Sequence, residues 1–172
     1  MKINPPEIHC GFFGLCTVTT FKRLMKFSWT SLKISIAGAK LSHLVQKDRI
    51  WDHGSMAEQA RIIYYLVLKA GANGNIESLK KQCSASCFER LKNELEGSER
   101  NRSTTMNSVI KELAIIDVQP GRNNKPDKFC AMIMGYSKDE SAIEFETGRS
   151  QKFVAKWSFI RQGDWWVLDE IR

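Results

Sequence analysis

Phe153-Val154-Ala155-Lys156-Trp157-Ser158-Phe159-Ile160-Arg161-Gln162-Gly163-Asp164-Trp165-Trp166-Val167-Leu168-Asp169-Glu170-Ile171 is the stretch that decides the fold. Phe153, Ala155, Trp157 and Phe159 alternate with Lys156 and Ser158, the two-residue period of a strand with one buried face. Gln162-Gly163-Asp164 is a turn composition, and Trp165 to Ile171 is again rich in aromatic and branched residues. The short connection predicts an antiparallel hairpin. Adjacent Trp165 and Trp166 must point to opposite faces of their strand, so at least one is exposed or covers a partner surface.

Working back from the hairpin, Phe129 to Tyr136 and Val109 to Val118 carry the same strand composition, separated by the turn residues Pro120 to Asn124. Before Gly97 the period is helical. Ser55-Met56-Ala57-Glu58 reads as a capping box and predicts a helix starting near Met56. Its run from Ile62 to Leu68 is apolar nearly all round and predicts burial on several sides, with Gly71 to Gly74 ending it. Ile76, Leu79 and Cys83 form a short second stripe. Ser86-Cys87-Phe88-Glu89 is a second capping box, with Phe88, Leu91 and Leu95 following at helical spacing. Helices first and strands afterwards predict an α+β domain, its helices packed on one face of a mostly antiparallel four-stranded sheet.

The 172 residues carry 26 Lys and Arg against 19 Asp and Glu, a net charge of +7. Seven bases and one acid fall in residues 1–47, whereas residues 48–172 are almost balanced. This predicts two segments, a basic amphipathic one over 1–47 and a domain over 48–172. Between Glu7 and Asp48 there is no acid, and Lys26, Lys33, Lys40 and Lys47 recur every seven residues. At about 100° per residue these lysines share one side of a helix, while Phe21, Leu24, Met25, Ser28, Leu32, Ile36 and Ala39 share the other, with Trp29 near the boundary. Lys22, Arg23, Lys26, Trp29, Lys33 and Lys40 are therefore the expected contacts of a helix lying on an anionic membrane surface. The bland reading is an amphipathic helix packed on the domain or on a partner. The same composition fits a mitochondrial presequence, and Ile8 to Phe21 resembles a poor signal peptide. No run reaches the roughly 18–20 apolar residues of a membrane-spanning helix.

Five Cys without a framework spacing favour a reducing compartment. Cys83 and Cys87 are four apart, yet no His follows position 53, so they read as small core residues rather than as metal ligands. No cofactor motif appears. All three His (His9, His43, His53) precede the domain core, which leaves Glu112 and Asp117 in the first strand as the candidate bases for an enzyme. A solvated strand end is the plainer reading of Asp117. Met132, Met134, Phe153, Trp157, Phe159 and Trp166 are the candidate lining of a pocket for a protein partner or apolar ligand, although ordinary core packing predicts the same residues. With the excess of bases lying in the front segment, the near-neutral domain is not expected to bind nucleic acid.

The run Ile63-Tyr64-Tyr65-Leu66-Val67-Leu68-Lys69-Ala70, the segment Cys87 to Lys92, the strand Asn107 to Leu113 and the closing hairpin together resemble the Tim-forty-four-like domain family. This family comprises the C-terminal domain of a mitochondrial inner-membrane import translocase subunit and its bacterial relatives. The resemblance covers roughly residues 50–172, and Trp157, Phe159, Arg161, Trp166, Leu168 and Ile171 carry it as fold signature. It implies a curved, cone-shaped sheet of the nuclear transport factor two-like class with a hollow beside its helices. It further implies a membrane-peripheral adaptor in protein translocation or membrane-protein assembly. The expected place is the cytoplasmic side of a bacterial inner membrane, with the mitochondrial matrix as alternative. The same fold class contains isomerases and dehydratases of small hydrophobic substrates, the rival reading. Many bacterial relatives carry a true spanning helix where this chain has only the amphipathic stretch.

Overall fold

The computed structural model describes residues 18–96, 108–138 and 150–172, with side chains described for 29–94, 108–137 and 152–172. Helix α1 spans Val18–Leu44 and α2 spans His53–Asn73, with a 3-10 turn at Arg49–Trp51 between them. A second 3-10 turn, Ile76–Leu79, leads to α3 over Ala85–Glu96. Strands β1 (Ser108–Gln119), β2 (Lys128–Lys138), β3 (Ser150–Gln162) and β4 (Trp165–Ile171) follow. They form one antiparallel sheet in the order β1-β2-β3-β4. The α+β class expected from the order of periods is the observed one. Ile8 to Thr17 of the apolar front stretch, and the helix stop at Gly97, lie outside the described residues.

The alternation in β3 produces the core. On the helix-facing side, Phe159 pairs Phe129 and Leu168, Trp157 pairs Ala131, and Ala155 pairs Ile133. Trp166 is buried on the same side, its ring edge-on to Trp51 at 5.0 Å and to Phe129 at 4.9 Å. Bulges between Ile110 and Glu112, between Ile115 and Asp117, and between Ser158 and Phe159 shift the register and bend the strands. Gly163, at φ 64°, supplies the backbone conformation that the two-residue turn needs.

Three local expectations are corrected. The cap of α2 is Asp52, whose Oδ2 accepts from the Ser55 backbone N–H at 2.7 Å, so the helix starts at His53 rather than near Met56. The cap of α3 is Ser84, whose Oγ accepts from the Cys87 N–H at 3.3 Å, two residues before Ser86. In both places an earlier side chain reaches the free N–H groups first. Helix α2 is buried on one side only: Met56, Ala60, Ile63 and Ala70 face the core, while Ile62 and Tyr65 are exposed. The helix covers a sheet from one side and has no second layer over it among the described residues, so an apolar run does not become all-round burial.

The outer edge of β4 is already engaged. Leu168 donates its N–H to the Gln82 carbonyl at 2.8 Å and accepts from the Ser84 N–H at 2.7 Å, forming a short parallel bridge with Cys83 between them. Two residues earlier, the Trp166 carbonyl accepts from Gln59 Nε2 at 3.0 Å.

Candidate functional site

Helix α1 carries two apolar stripes. Ala37 and Leu41 are buried in the domain core, with Leu44 and Val45 packed beside them. The division expected after residue 47 therefore falls just past a helix whose C-terminal half is part of the domain core. The second stripe is different. Trp29, Leu32 and Ile36, spaced i, i+3, i+7, are 61%, 48% and 47% exposed. At about 100° per residue the two stripes are centred roughly 130° apart. The helix thus packs on the domain through residues other than the apolar stripe read from the sequence, and that stripe remains free in the described part.

The lysines run between the stripes. Lys40 forms an ion pair of 3.7 Å with Asp117, and the Lys33 ammonium lies 5.8 Å from the centre of the Trp29 ring. Lys22, Arg23 and Lys26 fall in the first turns of α1, where side chains lie outside the described set.

The expected apolar pocket is not assembled from its six residues. Phe153, Trp157, Phe159 and Trp166 belong to the helix-facing side, where they pack against the core, and Tyr64 lies over Trp157 and Phe153 at 5.2 and 6.2 Å. Met132 and Met134 pair with Lys156 and Val154, one step out of phase, and so sit on the opposite face. A single lining from both sets is excluded by the strand period. The Trp157 indole N–H is buried with no acceptor among the described residues, whereas that of Trp166 donates to the Ile50 carbonyl at 3.1 Å.

Arg161 acts as a clamp. Its Nη1 donates to Asp48 at 2.6 Å and to Asp127 at 3.1 Å, and its Nε to the Gly163 carbonyl at 2.8 Å. These bonds tie the entrance to α2, the β1–β2 loop and the hairpin turn. The Ile50 N–H and then the Arg161 guanidinium hold the Asp48 carboxyl below its ordinary value.

The candidate bases have the wrong surroundings for acid–base work. Glu112 is exposed, and Asp117 is half exposed, paired with Lys40 and accepting from Gln119 Nε2 at 2.7 Å. Both pair with outward-facing residues of β2, Met134 and Cys130, and so sit on the sheet face opposite the core. A carboxylate base with a raised pKa needs apolar enclosure, which neither has. Cys83 and Cys87 are buried side by side. Its hydrogen bond to Cys87, and then burial, push the Cys83 thiol up, away from nucleophilic use.

Of the open grooves among the described residues, two stand out. One of about 1030 Å³ lies between the second 3-10 turn with α3 and the outer side of the hairpin, lined by Lys80, Lys81, Cys83, Phe88 and Val167 and by Trp165, which is 68% exposed. The other, about 540 Å³, lies between α1 and the outer face of the sheet. Its lining includes Lys33 and Ile36 from α1, Ile116 and Asp117 from β1, Lys128 and Cys130 from β2, Lys156 and Ser158 from β3, and Arg172. Sequence reasoning missed this groove, because its cations are scattered through four segments and form no run.

No family model and no curated protein matches the chain. Among solved structures, the crystal structure of the intermembrane space region of the chloroplast protein ARC6 is similar over 67% of this chain and 94% of that chain, with a TM-score of 0.42 and 11% identity.

Proposed function

We propose that this chain is a membrane-peripheral binding module whose α1 docks on an anionic lipid surface while the α+β domain presents its outer grooves to a partner. The observation that carries the reading is the second stripe of α1. A helix already anchored through Ala37 and Leu41 has no packing reason to hold Trp29, Leu32 and Ile36 in a line facing away from its own core. Lys33 and Lys40 flank that line. Full burial of such side chains contributes about 1.5–3 kcal/mol each, and roughly half their surface is still available here. Three of them therefore supply about 3–4 kcal/mol, and each nearby lysine adds at most about 1 kcal/mol. That strength gives reversible docking. Among the described residues no helix is long and apolar enough to cross a membrane.

The likeness of the closing hairpin to the Tim-forty-four-like family extends the proposal to an adaptor role in protein translocation or membrane-protein assembly. The enclosure needed by the rival isomerase or dehydratase chemistry is missing around Glu112 and Asp117. Flotation with liposomes tests the docking. The chain should float with vesicles containing phosphatidylglycerol and stay behind with pure phosphatidylcholine. Equal recovery from both removes the electrostatic part of the proposal, and recovery from neither removes it altogether.

A further inference from the structure

The 540 Å³ groove beneath α1 collects cations from four separate segments, Lys33, Lys128, Lys156 and Arg172, around one acid, Asp117. The acid is already engaged by Lys40 and Gln119. Lys128 and Arg172 are balanced by Asp169 at 3.3 Å and Glu170 at 2.8 Å. Lys33 and Lys156 have no carboxylate within ion-pair distance among the described residues, and they belong to different walls, one on α1 and one on the sheet. The Ser158 side chain, only 8% exposed, pairs with Cys130 across the strands where the groove crosses them. Backbone hydrogen bonds in both directions between Lys156 and Arg172, each 2.9 Å, fix these two cations side by side.

We infer that this groove is a binding site for an organic phosphate monoester. Two ammonium groups without a carboxylate partner among the described residues, one from α1 and one from the sheet, suit a ligand with two negative charges, which a phosphate monoester carries near neutral pH and a single carboxylate does not. Arg172 adds a planar fork suited to phosphate oxygens, and Ser158 a hydroxyl. The volume lies in the range of small-molecule sites and is much larger than a bare phosphate ion requires. Ile36 and Ile116 give the organic part an apolar rest. The monoester can be a soluble metabolite or the head group of a phosphatidic acid molecule in the membrane that α1 rests on. The chemistry is shared, and the inference does not depend on lipid docking.

The test is calorimetric titration of the full chain with glycerol 3-phosphate and phenyl phosphate, together with flotation on vesicles of phosphatidylcholine containing phosphatidic acid. Binding of a soluble monoester, weakened five-fold or more by Lys156→Gln and by Lys33→Gln but unchanged by Lys80→Gln in the other groove, supports the site with a soluble ligand. No soluble binding, but flotation with phosphatidic acid that Lys156→Gln weakens five-fold, supports it with a lipid head group. Lys156 is on the sheet rather than on the docking helix, so its loss should leave flotation with phosphatidylglycerol unchanged. That separates this site from the docking proposal, and each can fail alone. The inference is overturned if neither probe is sensitive to Lys156, or if Lys80→Gln weakens binding as much as Lys156→Gln.

Discussion

Two substitutions a few residues apart on α1 should have opposite consequences. Leu41 is 4% exposed and lies among the core side chains, so Leu41→Ala removes buried methyl groups and leaves a cavity. Such changes cost about 2–5 kcal/mol, and here the lower half of that range applies, because α1 sits on the β1 side of the core and can close partly over the gap. At about 2–4 °C per kcal/mol for a chain of this size, the melting temperature should fall by roughly 4–14 °C. Leu32 and Ile36 are half exposed, so replacing both with Ser should move the melting temperature by less than about 4 °C, surface changes being usually within about 0.5 kcal/mol each. The same pair should lose the larger part of the membrane contact. At about 1–1.5 kcal/mol per side chain, the partition coefficient on vesicles containing phosphatidylglycerol should drop about 30- to 150-fold. Circular dichroism melts and co-sedimentation with sucrose-loaded vesicles read the two quantities on the same samples. The two-stripe account is refuted if Leu32→Ser/Ile36→Ser destabilises the fold as much as Leu41→Ala. It is also refuted if folded Leu41→Ala loses vesicle binding to the same extent as that pair.

The two buried indoles give a matched comparison. Trp166→Phe breaks the hydrogen bond to the Ile50 carbonyl, whereas Trp157→Phe removes an N–H with no acceptor among the described residues, so Trp166→Phe should be costlier by about 1–3 kcal/mol in urea unfolding. A second expectation concerns acid. Asp48 and Asp52 both have carboxyls held below their ordinary values, Asp48 first by the Ile50 N–H and Asp52 first by the Ser55 N–H. Their contribution is therefore fully present above the unfolded value near pH 4 and is lost as pH falls through the lower folded values. The urea midpoint should decline below about pH 4, and Asp48→Asn/Asp52→Asn should show a shallower decline measured between pH 6 and pH 2.5.

The hairpin was legible because alternation and a glycine turn act locally: β4 has the bounds that composition gave it, and β3 extends a few residues further at each end. The helix starts were less so. Asp52 and Ser84 compete with the serines of the two apparent capping boxes, and only the folded path of the chain decides which side chain meets the free N–H groups. The pocket reading went astray for a different reason. Met132 and Phe153 look alike in hydropathy, but the face of each strand depends on register with its neighbours, which a single sequence leaves open. On α1, the exposed stripe was readable from spacing, yet the anchoring one at Ala37 and Leu41 was masked by small residues. The basic groove had no sequence signal, since Lys33 and Lys156 are 123 positions apart and meet only through folding.

The bridge that Gln82, Cys83 and Ser84 make along β4 limits how this edge of the sheet can recognise a partner. With the outward N–H and carbonyl of Leu168 and the carbonyl of Trp166 already spent, an incoming extended chain finds few backbone groups to extend the ladder at that border. Strand addition, whether by a client peptide or by another copy growing towards a fibril, is discouraged there. At that border selectivity has to be written in side chains, where it can change by substitution without disturbing the sheet.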